Sequence, residues 1–158
     1  MKRPRIAIIS IALAVIVSMA VSASANTGVV EKVIDGGTIR IGGSFVARFT
    51  GLAVPDTTTS IGLMIRDFTR QELEGKLTRL FTWTTDNTAA GIVRDGNDLP
   101  FVQIRYGDDL STSFNEVLLE KGYARVDRNW LPEDLAHYVD LEREARRKEF
   151  GIWAGKGK

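Results

Sequence analysis

The side chains of this chain that could do chemistry are chiefly arginines and aspartates. There is no cysteine and only one histidine, His137, which excludes cysteine nucleophiles and the common zinc-binding patterns. No P-loop or dinucleotide-binding motif occurs. An arginine such as Arg48 offers paired N–H donors that suit phosphate, and aspartates such as Asp35 and Asp56 offer the oxygen ligands that calcium prefers. The chemistry open to these residues is therefore anion binding or metal-dependent catalysis.

The aromatic and histidine side chains give one further candidate. Trp130 could stack on a base, as aromatic residues of single-strand-binding surfaces do. We expect Trp153 in the core and Trp83 on the apolar face of a strand. His137 follows Glu133 by one helical turn, and we expect it on the solvent side of a helix rather than at a catalytic centre.

The first 25 residues have the pattern of a secretory signal peptide. Lys2, Arg3 and Arg5 precede an apolar run from Ile6 to Val21, and a small-residue Ala-x-Ala exit ends at Ala25. An uncleaved membrane anchor is the alternative, although sixteen residues fall short of the roughly 20 that a membrane-spanning helix needs. We therefore expect an exported protein, periplasmic or secreted, with no stable membrane insertion after cleavage.

Cleavage after Ala25 would leave residues 26–158 as one domain, long enough to bury a core without disulfides. It would remove three of the 21 Lys and Arg residues and leave 18 against 20 Asp and Glu, a net charge of −2. Nucleic-acid-binding domains usually carry a basic surface, because most of their affinity comes from contacts with phosphate. This composition favours a protein partner, although a nucleic acid remains an alternative.

Glycine turns and alternating apolar residues predict three strands at the start of the domain. The strands are expected at Val29 to Ile34, at Thr38 to Ile41 and at Phe45 to Thr50, with turns at Asp35-Gly36-Gly37 and Gly42-Gly43. Asp35 is the residue that such a turn favours. These strands form a β-meander.

A helix and two more strands follow. Ser60 is the expected N-cap of the helix, and Gly75 is the expected residue after its end. The next strand runs from Lys76 to Trp83, and its predicted apolar face carries Leu77, Phe81 and Trp83 around Arg79. The segment 86–98 reads as loop, with a short extended piece at 91–93, before a fifth strand at Leu99 to Tyr106.

Two helices complete the chain. Ser113 and Glu116 form a capping box for the first, which closes at Gly122. The second begins near Pro132, carries an apolar stripe, and has the pairs Glu142–Arg146 and Glu144–Lys148 on its solvent side. The stripe consists of Leu135, Tyr138, Leu141 and Ala145. The sequence therefore predicts an α+β protein, a five-stranded OB-fold β-barrel with three helices.

Four segments, in order, resemble the thermonuclease family of staphylococcal-nuclease-like domains. They match its V-x-D-G-D-T, R-L-x-G-I-D-T-P-E, N-E-x-L…G-x-A and A-x-x-A…G-I/L-W motifs. The segments are Val33 to Thr38, Arg48 to Asp56, Asn115 to Ala124 and Glu142 to Trp153. This resemblance implies the same barrel and a calcium-dependent nuclease centre.

As the resemblance implies, calcium is held mainly by the second Asp of D-G-D-T and by the Asp of I-D-T-P-E, with the carbonyl of the Thr beside it. The Glu of the latter motif assists the attacking water, and two arginines bind the phosphate. In this chain, Gly37 and Ala53 stand at the two Asp positions and Val54 stands at the Thr position. Asp56 replaces the Glu, and Arg48 retains the first arginine.

The second arginine position falls at Asn97, although a shift of the loop could bring in Arg94. Since glycine and alanine carry no side-chain oxygen, we expect no calcium site, no other cofactor and an inactive nuclease centre. Arg48 and Asp56 are then vestigial catalytic residues, and Asp35, Arg48 and Arg94 are candidates for anion or ligand binding. The alternative role of Arg48, compatible with anion binding, is an ion pair with Asp56.

Two other hypotheses remain open. In one, the chain is a weak metal-dependent phosphodiesterase whose calcium site is rebuilt from shifted acids, with Arg48 and Arg94 as an anion clamp. These acids are Asp35, Asp56, Asp95 and Asp98. In the other, the protein has a purely structural role, for which the sequence offers no specific signal.

Overall fold

The computed structural model describes residues 26–85 and 91–155. The strands are β1 Thr27–Asp35, β2 Thr38–Ile41, β3 Phe45–Phe49, β4 Leu52–Ala53, β5 Leu77–Thr82, β6 Phe101–Tyr106, β7 Thr112–Ser113 and β8 Arg125–Val126. The helices are α1 Ser60–Leu73, α2 Phe114–Glu120 and α3 Tyr138–Arg147, with 3₁₀ turns at Arg128–Trp130, Glu133–Leu135 and Gly151–Trp153. None of the helices in these ranges is long and apolar enough to cross a membrane. The predicted signal peptide and part of the predicted loop, residues 86–90, lie outside the described residues.

Five strands close into a barrel. The sheet order is β3-β2-β1-β5-β6-β7, and an additional pairing joins β3 to β6. That pairing is parallel, with Arg48 opposite Phe101 and Phe49 opposite Val102, whereas the other pairings within this sheet are antiparallel. The predicted five-stranded OB-fold barrel with three helices is therefore confirmed.

The barrel interior is filled by apolar residues from each long strand, and the helices pack on it. Val30, Ile39, Phe49 and Ile104 are fully buried. Fully buried apolar residues of α1 and α2 belong to the same core. Burial alternates along β3, at Ala47 and Phe49, and along β5, at Thr78 and Leu80. This alternation holds the register of these two strands, because a slip of one residue would move the buried set to the outer face.

The N-cap of the first helix lies one residue earlier than the sequence indicated. Thr59, in extended conformation, is the N-cap, and its Oγ1 accepts a hydrogen bond from the Gly62 N–H at 3.1 Å. Ser60 is the first helical residue, so the prediction of Ser60 as the cap was wrong. Both residues can cap, and the turn that Asp56 makes with Thr59 decided between them. Gly75, with φ +78°, follows the helix end as predicted.

The face of β5 that points inward is the opposite of the predicted one. Thr78 and Leu80 are buried, whereas Leu77 is 52% exposed and Phe81 is 40% exposed. The pairing of Leu80 with Ile104 places Leu80 inside the barrel. Because β5 pairs with both β1 and β6, the register of these pairings decides which of its residues point inward. Its larger apolar residues therefore lie outside.

The C-terminal helical region is divided in two. A 3₁₀ turn contains Leu135, and α3 then begins at Tyr138. The apolar stripe is confirmed, since Leu135, Tyr138 and Ala145 are buried and Leu141 packs against the core. Glu142 is also buried, and its Oε1 accepts a hydrogen bond from Val126 N–H at 3.2 Å. Its predicted place on the solvent side was wrong, because the backbone of β8 needs an acceptor there.

The other local predictions for the helices hold. The Ser113 hydroxyl accepts a hydrogen bond from the Glu116 N–H at 3.4 Å, which confirms the N-cap of α2. The ion pair between Arg146 and Glu142 spans 3.7 Å, and the pair between Lys148 and Glu144 spans 3.1 Å.

Candidate functional site

In the turn between β1 and β2, the Asp35 carboxylate is hydrogen-bonded to the backbone of the turn. Asp35 Oδ1 accepts a hydrogen bond from the Gly37 N–H at 2.7 Å. The Gly37 carbonyl in turn accepts the Phe49 N–H at 2.8 Å, which fixes the turn to β3. Asp35 therefore acts as a turn residue.

Ala53 and Val54 give the neighbouring segment an apolar character. Ala53 lies in β4, opposite Arg125 of β8. The Val54 side chain lies over the glycine turn, so that a Cβ added to Gly37 would be 3.0 Å from Val54 Cγ2. At the positions where the resemblance implies carboxylates, the chain thus has an alanine methyl group and a glycine covered by a valine.

Asp56 is exposed and is used as a turn-forming residue. Its Oδ1 accepts a hydrogen bond from the Thr58 N–H at 2.7 Å. This backbone hydrogen bond, followed by one from the Thr58 hydroxyl, lowers the pKa of Asp56 below its ordinary value. The loop lies close against α1 at Gly62, where a Cβ would collide with the Asp56 carbonyl oxygen.

Arg48 pairs with Asp95, and the expected ion pair with Asp56 was wrong. Arg48 Nη1 lies 3.5 Å from Asp95 Oδ2, and the Asp95 side chain is only 7% exposed. Asp95 Oδ1 accepts hydrogen bonds from the N–H groups of Asn97 and Leu99 at 2.8 and 2.9 Å. The parallel pairing of β3 with β6 brings Arg48 beside the turn that precedes β6, and this places Asp95 at its guanidinium.

Arg94 does not join Arg48. Its Nη1 donates to the Asp98 carbonyl at 2.8 Å, and its Nε lies 3.7 Å from Asp98 Oδ1. Arg94 is bridged to Pro100 in an extended segment. Successive side chains of such a segment point to opposite sides, and Asp95 is the one that reaches Arg48.

The residues present do not fit a calcium ion. Within residues 26–85 and 91–155, no group of three or more His, Cys, Asp or Glu side chains could hold a metal. Asp35, Asp56 and Asp95 instead accept hydrogen bonds from backbone N–H groups of their own turns. Each of these three aspartates is therefore engaged in its own turn.

A first groove, here named the Trp130 groove, lies beside β6 and has a volume of about 290 Å³. Its lining residues are Thr50, Trp83, Thr84, Val93, Phe101, Asn129, Trp130, Leu131 and Pro132. The rings of Phe101 and Trp130 are 5.1 Å apart, and Arg48 is paired in register with Phe101. The sequence indicated Trp130 as a candidate for binding, whereas Trp83 was predicted on the apolar face of a strand and Phe101 was not singled out.

A second groove, here named the Ala53 groove, has a volume of about 640 Å³. Its lining residues are Ala53, Val54, Pro55, Ile61, Arg125, Gly151, Ile152 and Ala154. Three segments that are distant in sequence, 53–61, 125 and 151–154, meet here, so no local pattern could have revealed it.

His137 lies on the surface, as expected. Its Nε2 is 3.2 Å from Glu116 Oε1 of α2. This contact with α2 is possible because α3 packs against α2.

Comparison with known proteins identifies the family. A family model described as staphylococcal nuclease homologue matches residues 56–155, whereas a search of curated proteins gave no match. The match begins at Asp56, so Gly37 and Ala53 precede it. Because it covers more than half of the 158 residues and the barrel topology agrees, the chain belongs to the staphylococcal nuclease homologue family.

Proposed function

We propose that this protein is an exported binding domain with a staphylococcal nuclease fold and without calcium-dependent nuclease activity. The observation that carries the proposal is the pair Gly37 and Ala53. A calcium ion takes 6–8 oxygen ligands, with carboxylates supplying the charge. Glycine and alanine have no side-chain oxygen, so these two positions can offer only backbone carbonyls. The N-terminal basic and apolar pattern supports export.

The remaining polar groups support the loss of activity. The hydrogen bond from the Thr58 N–H to Asp56 Oδ1 lowers the pKa of Asp56 and so makes its carboxylate a weaker base. Arg48 is already neutralised by Asp95, so a phosphate at Arg48 would meet a carboxylate at close range. Removing a single preorganised donor from comparable sites lowers rates by about 10²–10³.

The binding face that we propose is the Trp130 groove, where two tryptophans and Phe101 converge. Aromatic side chains are enriched at the centres of protein interfaces. The net charge of residues 26–158 is −2, and Arg48 already forms an ion pair with Asp95. Both features favour a protein partner over a polyanion.

The activity is tested on the purified domain 26–158 with single-stranded DNA and RNA in millimolar calcium. We expect no cleavage above buffer and no change in melting temperature on calcium addition. Calcium-dependent cleavage that a chelator abolishes would show that the nuclease centre works and would refute the proposal.

The assignment of positions is tested by rebuilding the site. The variant combines Gly37→Asp and Ala53→Asp with Val54→Thr, because a hydroxyl in place of one valine methyl relieves the 3.0 Å contact with a new Cβ at position 37. Calcium at one hundred times its Kd should raise the free energy of unfolding by about 2.7 kcal/mol.

The matched control places Asn instead of Asp at both positions and keeps Val54→Thr. It has the same shape without the charge, so calcium should leave its melting temperature unchanged. If the acidic variant folds and responds no more than the control, the assignment of Gly37 and Ala53 to the calcium positions is wrong.

A further inference from the structure

The Ala53 groove is open to solvent and is lined mainly by apolar side chains. Its volume of about 640 Å³ lies within the roughly 300–1,000 Å³ range of small-molecule pockets. Val54, Pro55 and Ile61 line one part, and Ile152 and Ala154 line another. These side chains are apolar, so the body of a ligand that fills the groove must be apolar as well.

Arg125 is the single charged residue that lines the groove. Its guanidinium carbon lies 5.1 Å from the centroid of the Trp153 ring, and Arg146 lies over the same ring at 4.2 Å. Arg146 has an acidic partner, Glu142. In the described ranges, no carboxylate lies within ion-pair distance of Arg125, whose charge is therefore free to meet a ligand.

The replacement at position 53 is what makes this site suit an anion. Ala53 is paired with Arg125 across β4 and β8, which places the two side chains on the same face. A carboxylate at position 53 would neutralise Arg125 and repel a negative ligand. With alanine there, the groove has apolar walls and one unopposed positive charge.

We propose that the Ala53 groove binds an aliphatic monocarboxylate, a fatty-acid-like molecule whose chain lies along the apolar walls and whose carboxylate meets Arg125. A single guanidinium matches one carboxylate, whereas a nucleic acid would require several cations along its path. The site goes beyond the proposed function and does not depend on whether the nuclease centre is active.

Binding is measured by calorimetry on domain 26–158 with octanoate, decanoate and dodecanoate, each below its critical micelle concentration. Intrinsic tryptophan fluorescence gives a second readout, since Arg125 stacks on the ring of Trp153, one of the three tryptophans of the domain. Affinity should rise by up to about fourfold for each added methylene that becomes buried. Decyltrimethylammonium, with a similar chain and the opposite charge, should bind at least tenfold more weakly than decanoate.

Variants locate the site. Ala53→Asp should weaken decanoate binding at least tenfold, while the uncharged Ala53→Asn should stay within about threefold of the wild type. Arg125→Gln should also weaken binding tenfold, whereas Arg94→Gln, which removes an arginine outside the groove, should not. Position 53 is exposed, so these replacements leave the core untouched, and circular dichroism verifies the fold.

Several results would overturn the proposal. Equal losses in Ala53→Asp and Ala53→Asn would show that charge at position 53 is irrelevant. Equal binding of the cationic amphiphile would show nonspecific adsorption. Binding of a peptide with an apolar C-terminus and a free carboxylate, without binding of decanoate, would assign the groove to a protein segment instead. Each of these outcomes leaves the nuclease and calcium assays above unaffected, so the two proposals fail separately.

Discussion

Replacing Asp95 by Asn tests the internal ion pair that occupies Arg48. Asn has the same shape and keeps one oxygen that can accept the N–H groups of Asn97 and Leu99. Its amide nitrogen, however, would replace Oδ2, the buried atom that lies 3.5 Å from Arg48 Nη1 and has no hydrogen-bond partner. The substitution therefore places a donor against a donor and removes the negative charge.

The expected cost follows from the geometry. Hydrogen bonds to charged groups contribute about 1.5–3 kcal/mol, against about 0.5–1.5 kcal/mol for neutral ones, so the turn is weakened without being lost. Arg48 is 39% exposed, and solvent screening limits the ion pair to about 1 kcal/mol. We expect the free energy of unfolding to fall by about 2 kcal/mol, which lowers the melting temperature by about 7 °C in a domain of this size.

The assay is thermal and urea unfolding of Asp95→Asn beside Asp98→Asn. The control removes the same charge from a side chain that is 88% exposed and 3.7 Å from Arg94, so it should cost less than about 0.5 kcal/mol. A double-mutant cycle with Arg48→Gln should give a coupling energy of about 0.5–1 kcal/mol. Equal, small effects of the two Asn variants, or no coupling to Arg48, would refute the reasoning.

Three further predictions concern the fold. Thr59→Ala should lower the free energy of unfolding by about 1 kcal/mol and Ser60→Ala by much less, since Thr59 is the cap; equal effects in chemical denaturation would contradict this assignment. Gly122→Ala should lower the free energy of unfolding by at least about 2 kcal/mol, because φ is +65° and a Cβ would meet a backbone carbonyl after α3. Gly43→Ala should cost less, because φ is +85° but the space around it is open. A similar melting temperature for both variants would refute the packing argument. Burial raises the pKa of Tyr138 to about 12, so the unfolded chain loses this proton first, and the free energy of unfolding should fall by about 2 kcal/mol between pH 10 and 12. Tyr138→Phe should remove that part of the decline, and an unchanged pH profile would count against it.

Much of the fold could be predicted from the sequence because its determinants are local. The turn residues Asp35 to Gly37 and the caps at Ser113 and Gly75 are short-range signals with a fixed geometry. The order of strands and helices follows from the period of the apolar residues. The identities of Gly37 and Ala53 are likewise read directly from the chain.

Predictions from local patterns were wrong where distant elements contact each other. The larger apolar residues of β5 indicated an inward face, yet the partner strands buried Thr78 and Leu80 instead. The acidic partner of Arg48 was expected eight residues away and is found at Asp95, because the parallel pairing of β3 with β6 closes the barrel there. Neither outcome has a short-range signal.

The sequence by itself determined the order of strands and helices and the presence of glycine and alanine at positions 37 and 53, since these depend on residue type and on neighbours along the chain. The tertiary structure decided which charges neutralise each other and which apolar residues form grooves. Arg125 and Ala53 are 72 residues apart along the chain, and only the pairing of β4 with β8 places them side by side. Such contacts depend on how several distant strands pair with one another, and no single segment specifies that register.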